Sequence, residues 1–419
     1  MDIEAFLGLL SPEGQAVLAE AGGADTGEDA LLTTASKLRE RHPAELVNAA
    51  LTQVRLRERA RAKFGPDAAR MYFTPAGLEQ STRANVAAHR ARRFPAGASG
   101  VLELGCGIGA DLIARTRAGV RSDAVDLDPL TAEVARANVD ALGLDRALVT
   151  VRVNDAAEED PSGYAALFAD PGRRTARGRV FDPRSYQPPL DTVLDLAGRV
   201  PAACVKVAPG IPHEAVPDGA EAEWVSVGGD VKECALWLGG MAGGVRRRAT
   251  LLPADAATDA TTGSPTAWTL TPVPGLDAPE VRAWGRYLYE PDGAVIRAGL
   301  VAEVAELVGG GLADPHIAYV TSDTLLPTPF ASAYEIDAVL PFSLKRLRAE
   351  LRRREVGVLT VKKRGSAVDV DRLRRDLGFG RGAKRPGRSG RGGHGDAELT
   401  LVLTRVGDDP VALLTRPAR

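Results

Sequence analysis

The stretch VLELGCGIGADLIA, residues 101 to 114, concentrates residue types suited to holding a small ligand against the backbone. An apolar run ends at Gly105, glycines recur at Gly107 and Gly109, and a helical pattern opens after them. Glycines there let the chain turn sharply and approach a ligand more closely than any side chain would allow. Glu103 stands just before the first of them. Seventeen residues after Gly109, the run SDAVDL delivers Asp126, a carboxylate suited to accept both hydroxyl protons of a ribose. Asn154 and Asp155, after the next apolar run, sit where polar groups can reach an adenine edge. A glycine turn that only packs helix on strand does not call for an acid at that spacing.

A second constellation is Ala169-Asp170-Pro171-Gly172-Arg173-Arg174, again at the end of an apolar run. Asp170 is the residue expected to orient a nucleophile or accept its proton. An Arg guanidinium can stack on a base and bind phosphate, so Arg173 and Arg174 are candidate substrate contacts. Tyr186, in FDPRSYQPPL, offers either a stacking ring or ordinary packing beside two prolines. Phe73, Glu79 and Gln80 read as a cofactor lid or as a helix start. Lys206 and Glu233 read as a structural pair. Lys362, Lys363 and Arg364 form a compact basic tip after the run VGVLTV, suited to phosphate or simply solvated.

The elements that must position these groups follow from periodicity. Residues 1–95 read as a helical region: Leu46, Ala50 and Val54 recur at helical spacing, and GLEQSTRANVAAHRARRF reads as a second helical run. From 96 to 245 short apolar runs (VLELG, SDAVDL, ALVTVRV, AALFADP, CVKVA) alternate with amphipathic ones. That alternation predicts a doubly wound α/β fold with a parallel sheet. EWVSVGGDVKECALWLG then reads as an antiparallel hairpin turning at Gly228-Gly229. Residues 246–419 form a further region, in which a small polar stretch at 253–266 marks a domain boundary or a long hairpin loop, an α/β pattern follows it, and a Gly/Arg-rich loop interrupts that pattern at 378–396. The net charge of −2 is unevenly spread. Pro341 to Gly395 hold 17 Lys/Arg against 5 Asp/Glu, a local +12 that leaves −14 elsewhere. Such asymmetry fits a polyanionic partner, or a solvated basic helix beside a loop.

The opening MDIEAFLGLLSPEG lacks a basic stretch before its apolar residues, so no secretion signal is expected and a cytoplasmic site is. No run of ~20 apolar residues predicts a membrane span. Three cysteines and five histidines show neither disulfide nor metal-ligand spacing, so no metal is expected.

Gly105-x-Gly107-x-x-Ala110 also satisfies the looser dinucleotide fingerprint. Glu103, the Asp170-Pro171 step and the terminal hairpin favour S-adenosylmethionine, which has no pyrophosphate to cradle and tolerates an acid near the loop. The chain resembles the bacterial class I methyltransferases with a C-terminal THUMP-like domain. The resemblance is carried by FTPAGLEQSTRANVAAHRARRF, VLELGCGIGADLIA, ADPGRR, FDPRSYQPPL, VKVAPGI, EWVSVGGDVKECALW and FASAYEIDAVLPFSLKRLRAELRRREVGVLTVKKRG. It implies a Rossmann-like core with a seven-stranded sheet, methyl transfer from S-adenosylmethionine, and RNA (tRNA or rRNA) as partner through the basic domain. Separately, Asp170-Pro171 resembles the Asp/Asn-Pro-Pro-Tyr/Phe step of methyltransferases acting on exocyclic amines, which implies a base-holding role for the two residues, although Arg173 stands where those enzymes carry an aromatic ring. An inactive cofactor-binding RNA clamp, or an enzyme acting on a small molecule or protein, remains open at this point.

Overall fold

The computed structural model describes the chain except residues 26–29, 96, 98–99, 173, 176–177, 180–182, 255–266, 380–396 and 419, and except the side chains of 174–175, 178–179 and 183. The described residues form two compact units. The first comprises residues 1–227, 232–246 and 252–266; the second comprises 228–231, 247–251 and 267–419.

The first unit begins with helices α1 (Ile3–Leu10), α2 (Pro12–Gly22), α3 (Leu31–Arg39) and α4 (Ala44–Phe64). Local chemistry sets their ends. Ser11 caps α2 by accepting from the Gly14 amide at 3.1 Å, with Pro12 in the first turn where its missing N–H costs nothing. Gly65, at φ 55°, ends α4. The run expected to be a single helix divides into α5 (Pro75–Gln80) and α6 (Ala84–Ala91). Ser81 adopts extended backbone there, and the Thr82 hydroxyl bonds to Asp111 instead of continuing a helical turn.

The alternating region supplies β1 (Val101–Leu104), α7 (Ala110–Arg117), β2 (Ser122–Asp126), α8 (Pro129–Ala141), β3 (Val149–Val153) and β4 (Ala166–Ala169). Two short strands, β5 (Arg174–Thr175) and β6 (Gly178–Arg179), pair with each other. Then come α9 (Leu190–Ala197), β7 (Ala202–Val207), β8 (Glu221–Val227) and β9 (Asp230–Gly239). Their order in the sheet is β8-β9-β7-β4-β1-β2-β3. β1 pairs in parallel with both β2 and β4, β2 with β3 and β4 with β7, whereas β9 runs antiparallel to β7. Every residue of β1, β4 and β7 is buried, as parallel strands covered on both sides must be. Leu112 of α7 and Ala132, Ala135 and Val139 of α8 pack on Ala124 and Val151. Phe94 packs with Val101, Phe168, Cys204 and Trp237.

The second unit contains β10 (Arg247–Leu252, in part), β11 (Trp268–Leu270), β12 (Tyr287–Pro291), α10 (Gly293–Ala298), α11 (Val301–Leu307), β13 (Gly311–Asp314) and β14 (Ile317–Ser322). It continues with β15 (Ala331–Pro341), α12 (Leu344–Arg353), β16 (Val356–Lys363), α13 (Val370–Leu377), β17 (Ala397–Val406) and β18 (Asp409–Pro417). Seven strands order as β13-β14-β12-β15-β18-β17-β16, with only the β16–β17 pair parallel among the ladders described. Leu347 and Leu351 of α12 and Leu373 and Leu377 of α13 share a core with Leu401, Leu403 and Leu414 of the sheet. No helix among the described residues is long and apolar enough to cross a membrane.

Candidate active site

The carboxyl ends of β1, β2, β3 and β4 border a cavity of about 810 Å³. The glycine loop is its floor. Gly105, Gly107 and Gly109 all have positive φ (74°, 55° and 86°), a region in which side-chain-bearing residues are strained. Gly109 also begins α7 and brings it close to α8: a Cβ there would lie 3.5 Å from the Ala135 Cβ. The loop is pinned to β2 by the Gly105 and Cys106 amides, which donate to the Val125 carbonyl at 2.9 and 3.0 Å.

Asp126 ends β2 at the cavity edge. Its Oδ2 accepts from the Gly107 amide at 2.9 Å and its Oδ1 from the Asp128 amide at 3.0 Å. Burial pushes its carboxyl above the usual range, against those two bonds. Each carboxylate oxygen keeps a further lone pair for a hydroxyl donor. Asn154 follows β3 with its amide nitrogen committed to Glu159 at 2.7 Å, and Asp155 accepts from the Ala157 amide at 2.9 Å. Both line the cavity, as does Leu127, whose side chain stands exposed beside Asp126.

Glu103 also borders the cavity, but the fold buries it in an ion pair with Arg115 of α7. Desolvation raises its carboxyl to about 7 despite Arg115, and Asp111 and Asp170 push the same way. Arg115 has other support: Ser122 Oγ at 3.2 Å and the rings of Phe94 and Phe168 at 5.2 and 4.9 Å.

Asp170, at the end of β4, receives Lys206 Nζ at 2.5 Å, and Lys206 also donates to Thr82 Oγ1 at 2.9 Å. Thr82 donates in turn to Asp111 at 2.7 Å, while Arg90 of α6 bridges Asp111 and Glu233. Asp111 is held below the usual carboxylate range: burial opposes this, and Arg90, Lys206 and Arg115 outweigh it. The expected Lys206–Glu233 pairing is thus replaced by two other pairs, because Arg90 takes Glu233 and leaves Lys206 to Asp170. Lys206, which pairs with Asp170, is the residue that sequence reasoning undervalued. A lone lysine inside the buried run CVKVA was the available signal, since unpaired lysines are almost never fully buried.

Pro171 lines the cavity beside Asp170. Arg173 lies outside the described residues, and of Arg174 only the backbone is described. Tyr186 does not serve as a stacking ring here. It is 1% exposed and its hydroxyl accepts from the Ala208 amide at 3.3 Å, so packing against β7 took the side chain inward. Gln80 borders the cavity, whereas Phe73 is buried in the helical core.

In the second unit the basic tip is already engaged. Lys362 Nζ lies 2.6 Å from Glu290, Arg364 lies 3.8 Å from the same carboxylate and over the Tyr319 ring, and Lys363 donates to the Val368 carbonyl at 2.9 Å. Lys363 is exposed as well, and further exposed cations lie on the helices. Lys345, Arg346 and Arg352 of α12 and Arg375 of α13 face solvent. Of the Gly/Arg-rich loop, residues 380–396 lie outside the described residues.

The cavity's lining bears on the two nucleotide readings. Among its described lining residues are Glu103, Asp111, Asp126, Asp128, Asp155 and Asp170, and no Lys, Arg or His. Glu103, Asp111 and Asp170 are matched by Arg115, Arg90 and Lys206 behind the wall, so what disfavours a pyrophosphate is the lack of a cation in the described lining. No group of three or more potential metal-ligating side chains occurs among the described residues.

A parallel sheet closed by an antiparallel strand, with a glycine loop and an acid-lined cavity at the carboxyl ends of its strands, is the layout of a class I methyltransferase. Comparison with known proteins agrees. The chain is 35% identical over 382 residues to an uncharacterised S-adenosylmethionine-dependent methyltransferase of Mycobacterium tuberculosis, covering 87% of this chain and 95% of that one. The chain belongs to the S-adenosylmethionine-dependent methyltransferases, and S-adenosylmethionine is its cofactor. A solved methyltransferase-fold chain from Porphyromonas gingivalis shares the fold at a TM-score of 0.73 and 22% identity, over 97% of this chain and 99% of that one. Family models match a domain of unknown function (DUF8688) at residues 2–60 and a THUMP-like domain at residues 331–417.

Proposed function

We propose that this methyltransferase modifies RNA, of the tRNA or rRNA class, in the cytoplasm, and that the C-terminal basic domain at 246–419 holds the substrate while the core at 96–245 carries the chemistry. The observation that carries the reading is the THUMP-like match at 331–417, coinciding with the segment that concentrates the chain's positive charge. THUMP domains are RNA-binding by family resemblance. The solvent-facing cations of α12 and α13 supply the phosphate contacts, a role first expected of Lys362, Lys363 and Arg364.

The cofactor supplies an electrophilic methyl group on a sulfonium. Gly105, Gly107 and Gly109 let the backbone approach it, Asp126 accepts from the ribose hydroxyls, and Asn154 and Asp155 meet the adenine. Glu103 supports the loop from beneath through Arg115. Asp170 orients the nucleophile and accepts its proton, held in place by Lys206; Pro171 shapes the same edge, and Arg173 and Arg174 contact the nucleic acid. Catalysis then rests on positioning and on excluding water from the two reactants.

The test is transfer of labelled methyl to total RNA from a strain lacking the protein, with protein and DNA fractions in parallel. Asp170→Asn is the proper control. Asp170→Ala would strand the buried Lys206 ammonium and confound chemistry with folding, since removing one partner of a buried pair costs on the order of 3–5 kcal/mol. Label in one RNA size class that vanishes with Asp170→Asn is the expected result. Label confined to protein or DNA overturns the RNA reading.

A further inference from the structure

The N-terminal helices shape the cofactor cavity although they carry none of the residues assigned to cofactor or substrate. Phe6, Val47, Ala50 and Phe64 share one buried core with Ile108 of the glycine loop, Ile113 of α7 and Val134 of α8. What the helices hold is the segment 72–82, which contributes Thr74, Ala76, Gly77, Gln80, Ser81 and Thr82 to the cavity wall.

That segment is fastened at three points. The Gln53 amide of α4 pairs with both backbone groups of Phe73, donating at 2.7 Å and accepting at 3.0 Å. Asn138 of α8 pairs likewise with Tyr72, at 3.1 and 2.6 Å, and donates to the Ile108 carbonyl at 2.9 Å, tying wall to loop. Lys63, near the end of α4, donates to the carbonyls of Leu78, Glu79 and Ser81 at 2.6, 2.9 and 2.8 Å. Those carbonyls end the six-residue helix α5 and have no helical partners, so one ammonium with three donors satisfies three of them. On its other side α5 presses on the loop: a Cβ at Gly77 would lie 2.4 Å from Ile108 Cγ2.

We infer that the N-terminal helical region is a cofactor-binding element, in which α4 holds residues 72–82 as one wall of the S-adenosylmethionine cavity and Lys63 is the positioning residue. The inference rests on the cofactor occupying the cavity described above. It gives the segment matched at 2–60 a concrete task, because α4 begins there and its Gln53 and Lys63 reach the wall.

Calorimetric titration of the full chain with S-adenosylhomocysteine tests this without any methyl acceptor. Lys63→Met keeps the length of the side chain and removes all three bonds. The expected result is a Kd weaker by about tenfold, with Lys63→Arg recovering part of the affinity, alongside a lower thermal midpoint from the three lost bonds. A Kd within twofold of the unaltered protein overturns the inference, as does a lower thermal midpoint with unchanged affinity, the mark of a merely structural lysine. Hydrogen exchange on the unaltered protein is an independent check. Amides of residues 74–82 should exchange more slowly when S-adenosylhomocysteine is bound, and no change there counts against the wall even if Lys63→Met fails to fold. An unaltered protein that binds no S-adenosylhomocysteine overturns the site assignment and the inference together; a binding protein indifferent to Lys63→Met overturns the inference alone.

Discussion

The Glu103→Gln substitution probes how the fold treats a charge at the heart of the site. Glu103 is fully buried, and its carboxyl rises from 4.5 to about 7 because desolvation outweighs Arg115. The folded protein therefore binds this proton more tightly than the unfolded chain does. The stability that the neutral carboxyl allows is fully present below about pH 4.5 and is lost as the pH climbs to about 7. A shift of that size, at 1.36 kcal/mol per pH unit, corresponds to about 3 kcal/mol. For a unit of this size that is roughly 6–12 °C in thermal midpoint. Glutamine keeps the shape and stays neutral, and Arg115 retains Ser122 and two aromatic rings. Melting both proteins by circular dichroism from pH 5 to 8.5 should give similar midpoints at the acid end and a more stable Glu103→Gln above pH 7. Comparing the two proteins cancels the other groups that titrate in this window. If Glu103→Gln instead loses stability above pH 7, the Arg115 ion pair outweighs desolvation and the reasoning fails.

Four other perturbations bear on the site and the domain. Asp126→Ala removes the proposed ribose acceptor and the bond to the Gly107 amide; S-adenosylhomocysteine affinity should fall by about 10–100-fold in calorimetry. Lys206→Met frees Asp170, whose side chain is 23% exposed and can rehydrate, so the stability loss should be only about 1–2 kcal/mol in denaturant melts while methyl transfer falls sharply. Charge reversal at Lys345, Arg346 and Arg352 together should weaken RNA binding and reduce its salt dependence by about three counterions. Reversal at Lys362, which sits against Glu290, should lower thermal stability more than RNA affinity.

The sequence by itself determined the parts of this protein that depend on backbone conformation and local period. Gly105, Gly107 and Gly109 were legible because their φ values exclude most other residues. Asp126 was legible because a strand, a glycine turn and a helix fix the distance to the next strand's tip. The alternation of apolar and amphipathic runs placed β1 to β4, β7 and the β8–β9 hairpin, and burial on two faces leaves β1, β4 and β7 nearly continuous in apolar residues. Side-chain partnership was decided only by tertiary structure. Lys206 meets Asp170, Arg90 takes Glu233, and Lys362 folds onto Glu290, pairings across 36, 143 and 72 residues that no local pattern encodes. Tyr186 turned inward for the same reason: whether a ring stacks on a ligand or packs on a strand depends on what the fold brings against it. The break between α5 and α6 was hidden too, because Thr82 leaves the helical path for Asp111 and Lys206, partners supplied by distant strands and helices. A sequence specifies its backbone stretch by stretch, but a buried charge finds its partner only when the whole core has closed around it.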